Sequence, residues 1–596
     1  MEMLFCSQCG VEREVKANIG RMRRLECKHL VVAALSTEEI KEKIEEIDKD
    51  IEITNALISS KETLKEVETI PSVVDFDNSI QQVIPTEEFD ITKFHNRKTK
   101  HTPYPFQDKG IQFAIEQRYR CLIADEQGLG KTVQALGIMH HAMKTDPDAF
   151  FPVLIIAKSN VKMQWMVQTL NWCGMDYIPQ IIEDGKNPPV EGFNVYIASY
   201  DIFRRFSKIK NVTKKSKYGH ELETTEKENV FYTFPFKTVI MDEVQAIKGD
   251  SQRTGEVKKI CEGKNVIALS GTPIKNNAAE YYTILHMLNP AKFPTKNQYL
   301  NYWVKSEVVN GYEKFTGIRY PKEFAEFTKD MVIRRTRDEV KDEIGMRVTK
   351  ANRIFYHVDF EDEKIKAAYQ RAEADFIREM ENNTKKKDAL ELIARLSVMR
   401  HLVGLNKIQP TVDLAIEFLL ENPTGKLLIF AHHQDVMGAI ATLLSRWCVD
   451  GGYPLPLIYH SGLNQTERFE MVAKFAEGKH PFIIGSTLAM GEGVDRLQEV
   501  CNDCIIAERQ WNPANEEQAE SRLVRIGQKR GFVNATYPIA TNTIDEYFTE
   551  IVENKRRSMK ETLDGQEVSQ WDETSLLVSL YEAITSKGRK KTWRGW

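Results

Sequence analysis

The sequence predicts an α/β protein of two tandem parallel-sheet lobes with a helical insertion between them and a small cysteine-bearing module in front. Three observations carry this. Short apolar runs alternate with helical stretches: CLIAD at 121, VLIIA at 153, VYIAS at 195, TVIMD at 238 and VIALS at 266. Strands buried on both faces read as such unbroken runs. From about 291 to 410 the pattern turns long, charged and helical, as in EKIKAAYQRAEADFIREM and DALELIARLSVMRHLV. The strand pattern then resumes with LLIFA at 427, PLIYH at 456, FIIGS at 482 and CIIAE at 504.

At roughly 100 to 200 residues per domain, 596 residues make three or four packed units. With 42% hydrophobic and 28% charged residues, the composition excludes a disulfide scaffold and a long disordered chain. Lys and Arg number 82 against 86 Asp and Glu, a formal net charge of -4. That argues against a basic coat for nucleic acid but leaves room for a local basic groove. No run approaches the ~20 apolar residues of a membrane span, and the opening MEMLFCSQCG has no basic segment followed by a long apolar stretch. A soluble cytoplasmic protein without a membrane partner is expected.

The nine cysteines are spread thinly. Cys6 and Cys9 are separated by two residues, Cys27 and His29 by one, with seventeen residues between the pairs. The spacing resembles a Cys3His zinc ribbon over residues 1–35, in which two knuckles close a tetrahedral ion and hold together a segment too short for its own core. Cys501 and Cys504 repeat the two-residue spacing without a second pair, and the following Ile505, Ile506 and Ala507 read as a buried strand. Ser36 and Glu39 have capping-box spacing, and Ile40, Ile44, Ile47 and Ile51 share one helical face. The stretch 36–102 is therefore read as an amphipathic helix and, from about 71, a proline-punctuated linker. The first lobe is placed at 103–290, a helical insertion and interlobe connection at 291–410, the second lobe at 411–545, and a helix with a basic tail at 546–596.

The chemistry concentrates after the first apolar run. Asp125, Glu126, Gln127, Gly128, Leu129, Gly130, Lys131 and Thr132 form a glycine turn that leads from a strand into a helix. Gly128 and Gly130 let backbone N–H groups approach phosphates, Lys131 can reach β/γ oxygens, and Thr132 can hold Mg2+. A strict phosphate-loop pattern has glycine where Asp125 stands. The run TVIMD ends at Asp242 and Glu243, which puts an acidic pair at the carboxyl edge of the same sheet. Asp242 would anchor Mg2+ and Glu243 would orient or deprotonate the attacking water.

The ordered blocks DEQGLGKT, DEVQAIKG, LSGTPIKNN and QWNPANEEQAESRLVRIGQ resemble the motifs of the Swi/Snf-type DNA-dependent ATPases of helicase superfamily two. PFQDKGIQFAI, MVIRRTRDEV and KLLIFAHHQ look most like its annealing-helicase branch. The resemblance implies two RecA-like lobes, ATP and Mg2+ as ligands, and double-stranded or branched DNA as the partner of a monomeric motor. It implies adenine contact by Gln107, and coupling of nucleotide to DNA by Ser270, Gly271, Thr272 and Pro273. In the second lobe it implies a glycine turn of Gly491, Glu492 and Gly493, and a final motif of Gln518, Arg522 and Arg525. Arg522 and Arg525, three apart, would share a helical face toward the cleft. Gln245, where the family often has histidine, and GEGVDRL depart from its pattern.

The expected function is ATP-driven translocation along duplex DNA. The alternatives are a strand-separating DNA or RNA helicase and an ATP-gated nucleic-acid-binding scaffold that meets a protein partner through the ribbon or helix. Residence at the nucleoid, or in the nucleus of a eukaryotic host, follows from a DNA substrate. Candidate DNA contacts are Ser199, Tyr200, Gly462 and Arg468. Weaker candidates are Lys208, Lys210, Lys214, Lys215 and Lys217, read as a loop, and Lys587, Arg589, Lys590, Lys591 and Arg594 in the tail.

Overall fold

Two all-parallel sheets organise the chain in a computed structural model. The structure describes residues 94–553 apart from 184, 216–220, 248, 250, 275–277, 310–311, 383–388, 461, 491–495, 511–512 and 550–551, together with the backbone of four strands near the N-terminus. Those strands, β1 (Met3–Cys6), β2 (Val11–Ile19), β3 (Met22–Leu25) and β4 (Leu30–Val32), form an antiparallel meander. Cys9, Cys27 and His29, the side chain of Cys6, the helix predicted from 36 and the basic tail lie outside the described residues. No described helix is long and apolar enough to cross a membrane.

The first lobe contains α1 (Pro105–Glu116), β5 (Arg120–Ile123), α2 (Lys131–Thr145), β6 (Val153–Ala157), α3 (Lys162–Trp172), β7 (Pro179–Ile181) and β8 (Val195–Ser199). After a hairpin of β9 (Lys208–Lys215) and β10 (Glu221–Glu228) come β11 (Thr238–Asp242), α4 (Gln252–Cys261), β12 (Asn265–Leu269) and α5 (Tyr281–Leu288). A second hairpin, β13 (Val304–Val309) and β14 (Tyr312–Ile318), precedes β15 (Val332–Ile333). The seven-stranded order is β15-β5-β12-β11-β6-β8-β7. Successive residues of one strand feed opposite cores. In β6, Leu154 and Ile156 join one cluster while Val153, Ile155 and Ala157 join the other. This is the physical origin of the unbroken apolar runs.

The second lobe repeats the design with β16 (Asn352–Val358), α6 (Glu363–Asn382), α7 (Ala389–Asn406), α8 (Ile408–Glu421), β17 (Leu427–Ala431), α9 (Gln434–Asp450), β18 (Leu457–Tyr459), α10 (Gln465–Glu477), β19 (Phe482–Ser486), β20 (Asp503–Ile506), α11 (Pro513–Glu520) and β21 (Asn534–Ala540). Its order is β16-β21-β20-β17-β19-β18.

The stretch 291–410 is not a separate insertion. Phe293, Tyr299, Trp303, Phe324 and Met331 complete the core of the first lobe, and β15 extends its sheet beside β5. Strand β16 instead pairs with β21, and α6–α8 bury Tyr369, Phe376, Met399, Leu402 and Val412 against Leu427 and Ile429 of the second. An amphipathic helix shows that it covers a sheet but not which one. β15 is two residues long and the edge strand β16 leaves Ile354, Phe355 and Tyr356 exposed, so neither has the pattern of a buried strand. The limits also move outward at both ends. Phe94, fully buried 5.0 Å from the Trp172 ring, belongs to the first lobe, and Phe548 and Val552 belong to the second.

Lys208, Lys210, Lys214 and Lys215 lie on the hairpin strand β9, not in a loop, and Lys217 lies outside the described residues. The hairpin register sets Lys208 opposite Glu228, Lys210 opposite Glu226 and Lys215 opposite Glu221.

Candidate active site between the lobes

The phosphate loop leaves β5 and turns into α2 through two left-handed residues, Gly128 (φ 84°) and Gly130 (φ 76°). Glycine adopts that conformation without a Cβ penalty. Gly130 caps α2, so the free N–H groups and positive end of that helix face the cleft. Gln107 of α1 lies beneath the turn. Its carbonyl oxygen accepts the N–H of Tyr104 at 3.0 Å and its amide nitrogen donates to Leu129 O at 2.9 Å. A Cβ on Gly130 would lie 2.4 Å from that nitrogen. Gln107 thus ties the loop to the start of α1, its amide nitrogen bonded to the one and its amide oxygen to the other.

Asp125, where glycine was expected, is fully buried and holds the loop to the segment after β15. Arg335 donates from Nε to Oδ1 at 2.8 Å and from Nη2 to Oδ2 at 2.5 Å, Gln134 donates to Oδ2 at 2.7 Å, and Arg335 also bonds Phe106 O. Arg337 adds a bond to Gln127 O at 2.9 Å and sits 3.7 Å from Glu126. Replacing Arg335 by alanine leaves a buried carboxylate without its cation and is expected to cost about 3–5 kcal/mol. Urea unfolding measures this, with Asp125→Asn added to Arg335→Ala recovering part of the loss; a cost within 0.5 kcal/mol, roughly that of a neutral surface change, would contradict it.

Strand β11 delivers Asp242 and Glu243 to the same cleft. Asp242 is fixed by Trp165 of α3, whose Nε1 donates to Oδ2 at 2.8 Å, and by Tyr200, whose hydroxyl donates to the Asp242 carbonyl at 2.7 Å. Tyr200 is therefore a buried brace of this strand and not a surface DNA contact; Ser199 is buried beside it. Burial and the neighbouring Glu243 push the Asp242 carboxyl above its ordinary pKa, while Trp165 and Lys131 oppose the shift. Burial lowers the Lys131 pKa, against the pull of Glu243, Asp125 and Asp242. Burial thus works against the charged form of both groups, and phosphates beside Lys131 or a divalent cation beside Asp242 would favour it.

Glu243 sits in the left-handed region at φ 51°, uncommon for a residue with a side chain. Gln245 donates to its carboxylate and accepts the Ser270 hydroxyl at 2.6 Å; the Thr272 N–H in turn donates to Ser270 Oγ at 3.0 Å. The glutamine that departs from the family pattern therefore connects the acidic pair to the SGTP segment.

The second lobe reaches the pocket with Arg522 and Arg525, which line it together with Lys131, Thr132, Asp242 and Glu243. Their placement on a shared helical face is not what the structure shows. α11 ends at Glu520, and both arginines lie in the turns that follow. Gln518 is buried within α11, where its carbonyl accepts from Ser521 Oγ at 2.9 Å and Arg522 Nε at 3.3 Å. Gly491, Glu492 and Gly493 lie outside the described residues. Lys158, Val161, Gln164 and Trp165 also line the pocket.

The phosphate loop touches the second lobe directly. A Cβ on Gly128 would meet Val524 O at 3.2 Å and Arg525 Cγ at 3.3 Å, and Leu129 packs with Phe106, Val340 and Ile526. Cys501 and Cys504 are buried free thiols, and the former donates to Lys426 O at 2.9 Å.

A phosphate loop and paired acids on one parallel-sheet lobe, completed by arginines from a second, define a two-lobed nucleoside-triphosphate hydrolase. Residues 106–410 match the SNF2-related domain and residues 410–527 the helicase conserved C-terminal domain. The chain belongs to the SNF2-related family, whose two-lobed core is a helicase-like ATPase. It is 26% identical over 487 residues to the DNA annealing helicase and endonuclease ZRANB3 of Mus musculus, covering 78% of this chain and 41% of that protein. It is 27% identical over 467 residues to the SWI/SNF-related matrix-associated actin-dependent regulator of chromatin subfamily A-like protein 1 of Xenopus tropicalis, covering 76% and 44%. The chain thus spans less than half the length of these two relatives. A solved Sulfolobus solfataricus SWI2/SNF2 ATPase core in complex with dsDNA overlaps with a TM-score of 0.35 at 20% identity, covering 79% of this chain and 95% of that one.

Proposed function

We propose that the protein is an ATP-driven translocase on double-stranded or branched DNA, acting as a monomer to remodel forks, anneal strands or displace bound proteins. The observation that carries this reading is the shared lining of one cleft by Lys131 and Glu243 from the first lobe and Arg522 and Arg525 from the second. Hydrolysis then requires the lobes to be together and product release lets them part, so the ATP cycle becomes relative motion. Lobes that each hold DNA phosphates convert that motion into steps, with sequence-independent and salt-sensitive grips. The relatives named for DNA annealing and chromatin regulation support DNA as the substrate.

In the chemical step, Lys131 and the α2 N-terminus hold the β- and γ-phosphates, Glu243 orients the attacking water, and the arginines neutralise charge that develops on the transferred group. Thr132 and Asp242 would hold Mg2+, an ion for which one or two protein oxygens suffice. When bound, the ion would supply charge neutralisation. Gln107 serves the adenine side through the loop it braces.

Duplex DNA is expected to raise ATP turnover well above the DNA-free rate and above the effect of RNA, and ATP is expected to drive displacement of a third strand from a triplex. Equal turnover with and without duplex, or no displacement, rejects the translocase. Unwinding of a plain duplex without triplex displacement would favour a strand-separating helicase.

The N-terminal module is proposed to bind one structural Zn2+ through Cys6, Cys9, Cys27 and His29 and to recruit a protein partner. Metal analysis should find one zinc per chain, lost in Cys6→Ser, Cys9→Ser; an intact protein free of zinc ends this proposal. Residence in the cytoplasm at the nucleoid, or in the nucleus of a eukaryotic host, follows from the DNA substrate.

A further inference from the structure

We infer that Gln127 and Ser521 form a closure latch: a side-chain hydrogen bond between the phosphate loop and the arginine-bearing segment of the other lobe that sets how often the split pocket is complete. The inference rests on the two-lobed ATPase reading above and assigns a positioning role to residues outside the chemical step.

The two residues are 394 positions apart, yet Ser521 Oγ and Gln127 Oε1 are 3.0 Å from each other with both side chains buried. Each stands next to a functional residue. Gln127 precedes Gly128 of the loop, and Ser521 precedes Arg522. The bond lies on the seam where Gly128 meets Val524 and Arg525 and where Leu129 meets Ile526, so it forms only when that seam is shut.

Ser521 has one hydroxyl proton but faces two acceptors, Gln127 Oε1 and, at 2.9 Å, Gln518 O. Gln127 Nε2 is meanwhile buried without a partner among the described residues. Turning the amide over lets Nε2 donate to Ser521 Oγ while the hydroxyl donates to Gln518 O. An orphaned donor is exchanged for an under-satisfied carbonyl oxygen, the cheaper of the two. Either orientation ties the same two residues together.

In an open molecule both side chains would bond to water, so the latch acts on the population of the closed form. ATP can dock on the first lobe alone, through Lys131 and the α2 N-terminus. Loss of the latch is therefore a kcat effect of about two- to tenfold, the population shift available from one buried neutral hydrogen bond.

The test is a double-mutant cycle on the full chain. Gln127→Met keeps the length of the side chain and Ser521→Ala removes only the hydroxyl. Duplex-stimulated kcat should fall about two- to tenfold in each, KM for ATP should change less than twofold, and thermal melting should hold. The double variant should be no slower than the slower single, because both remove one bond. Effects that multiply, an unchanged kcat, or a loss confined to KM would overturn the latch. A wild-type protein that duplex DNA does not stimulate would refute the proposed function instead, and the same cycle on basal turnover would still judge the latch.

Discussion

Replacing Arg522 or Arg525 by alanine slows ATP hydrolysis about a thousandfold or more at saturating nucleotide, the scale on which an arginine directed at a transferring phosphoryl group acts. ATP binding survives, because the loop, Lys131 and Thr132 all belong to the other lobe. The cause is electrostatic. In a cleft shielded from water, a guanidinium placed where charge develops stabilises the transition state more than the ground state. Lysine replaces the charge without the planar fork and should restore only part of the rate. Single-turnover hydrolysis with pre-bound ATP checks this directly; alanine variants that retain most of the wild-type rate would show that the second lobe does not complete the pocket.

The second large effect separates two residues of one cleft. Lys131→Ala removes a cation that is otherwise held 2.8 Å from Asp125 O with its charge ready for phosphate oxygens, so both ATP affinity and turnover should collapse. Glu243→Gln keeps the size of the side chain but removes the carboxylate. Nucleotide affinity should remain near wild type while turnover falls by about 10^2 to 10^4, the range of a positioned general base. Equilibrium nucleotide binding alongside turnover distinguishes them, and a Glu243→Gln protein that still hydrolyses ATP at the normal rate would remove Glu243 from the chemistry. In that variant ATP persists unhydrolysed, which should hold the lobes together on DNA.

These expectations pass through connections that no motif announces. Gln245 bonds both Glu243 and Ser270, so a chain of hydrogen bonds runs from the acidic pair to Thr272, which lines the interlobe cavity beside Arg334, Arg337 and Arg353. A departure from the family pattern at position 245 has kept a hydrogen-bonding side chain where one is needed. Asp125 behaves alike. Its pairing with Arg335, 210 residues away, explains an acidic residue in a phosphate-binding turn. Trp165 is a packing residue with one polar task, and that task is to aim Asp242.

Local order in the chain determined a good deal by itself. Unbroken apolar runs at 153, 195, 238, 427 and 482 became buried strands because a residue between two cores must be apolar on both faces. Gly128 and Gly130 marked the turn because only glycine enters the left-handed region freely, while Lys131 and Thr132 are set by their position at the start of α2 and Asp242 and Glu243 by theirs at the end of β11. Tertiary structure alone decided which sheet the helices after 363 cover, that β15 and β16 are edge strands of different lobes, and that Arg522 and Arg525 reach Lys131 from turns instead of a helix. Periodicity reports the burial of a face and is silent about what buries it. Contacts between residues hundreds of positions apart exist only in the packed chain: Asp125 with Arg335 needs the first lobe folded, and Gln127 with Ser521 needs both lobes together.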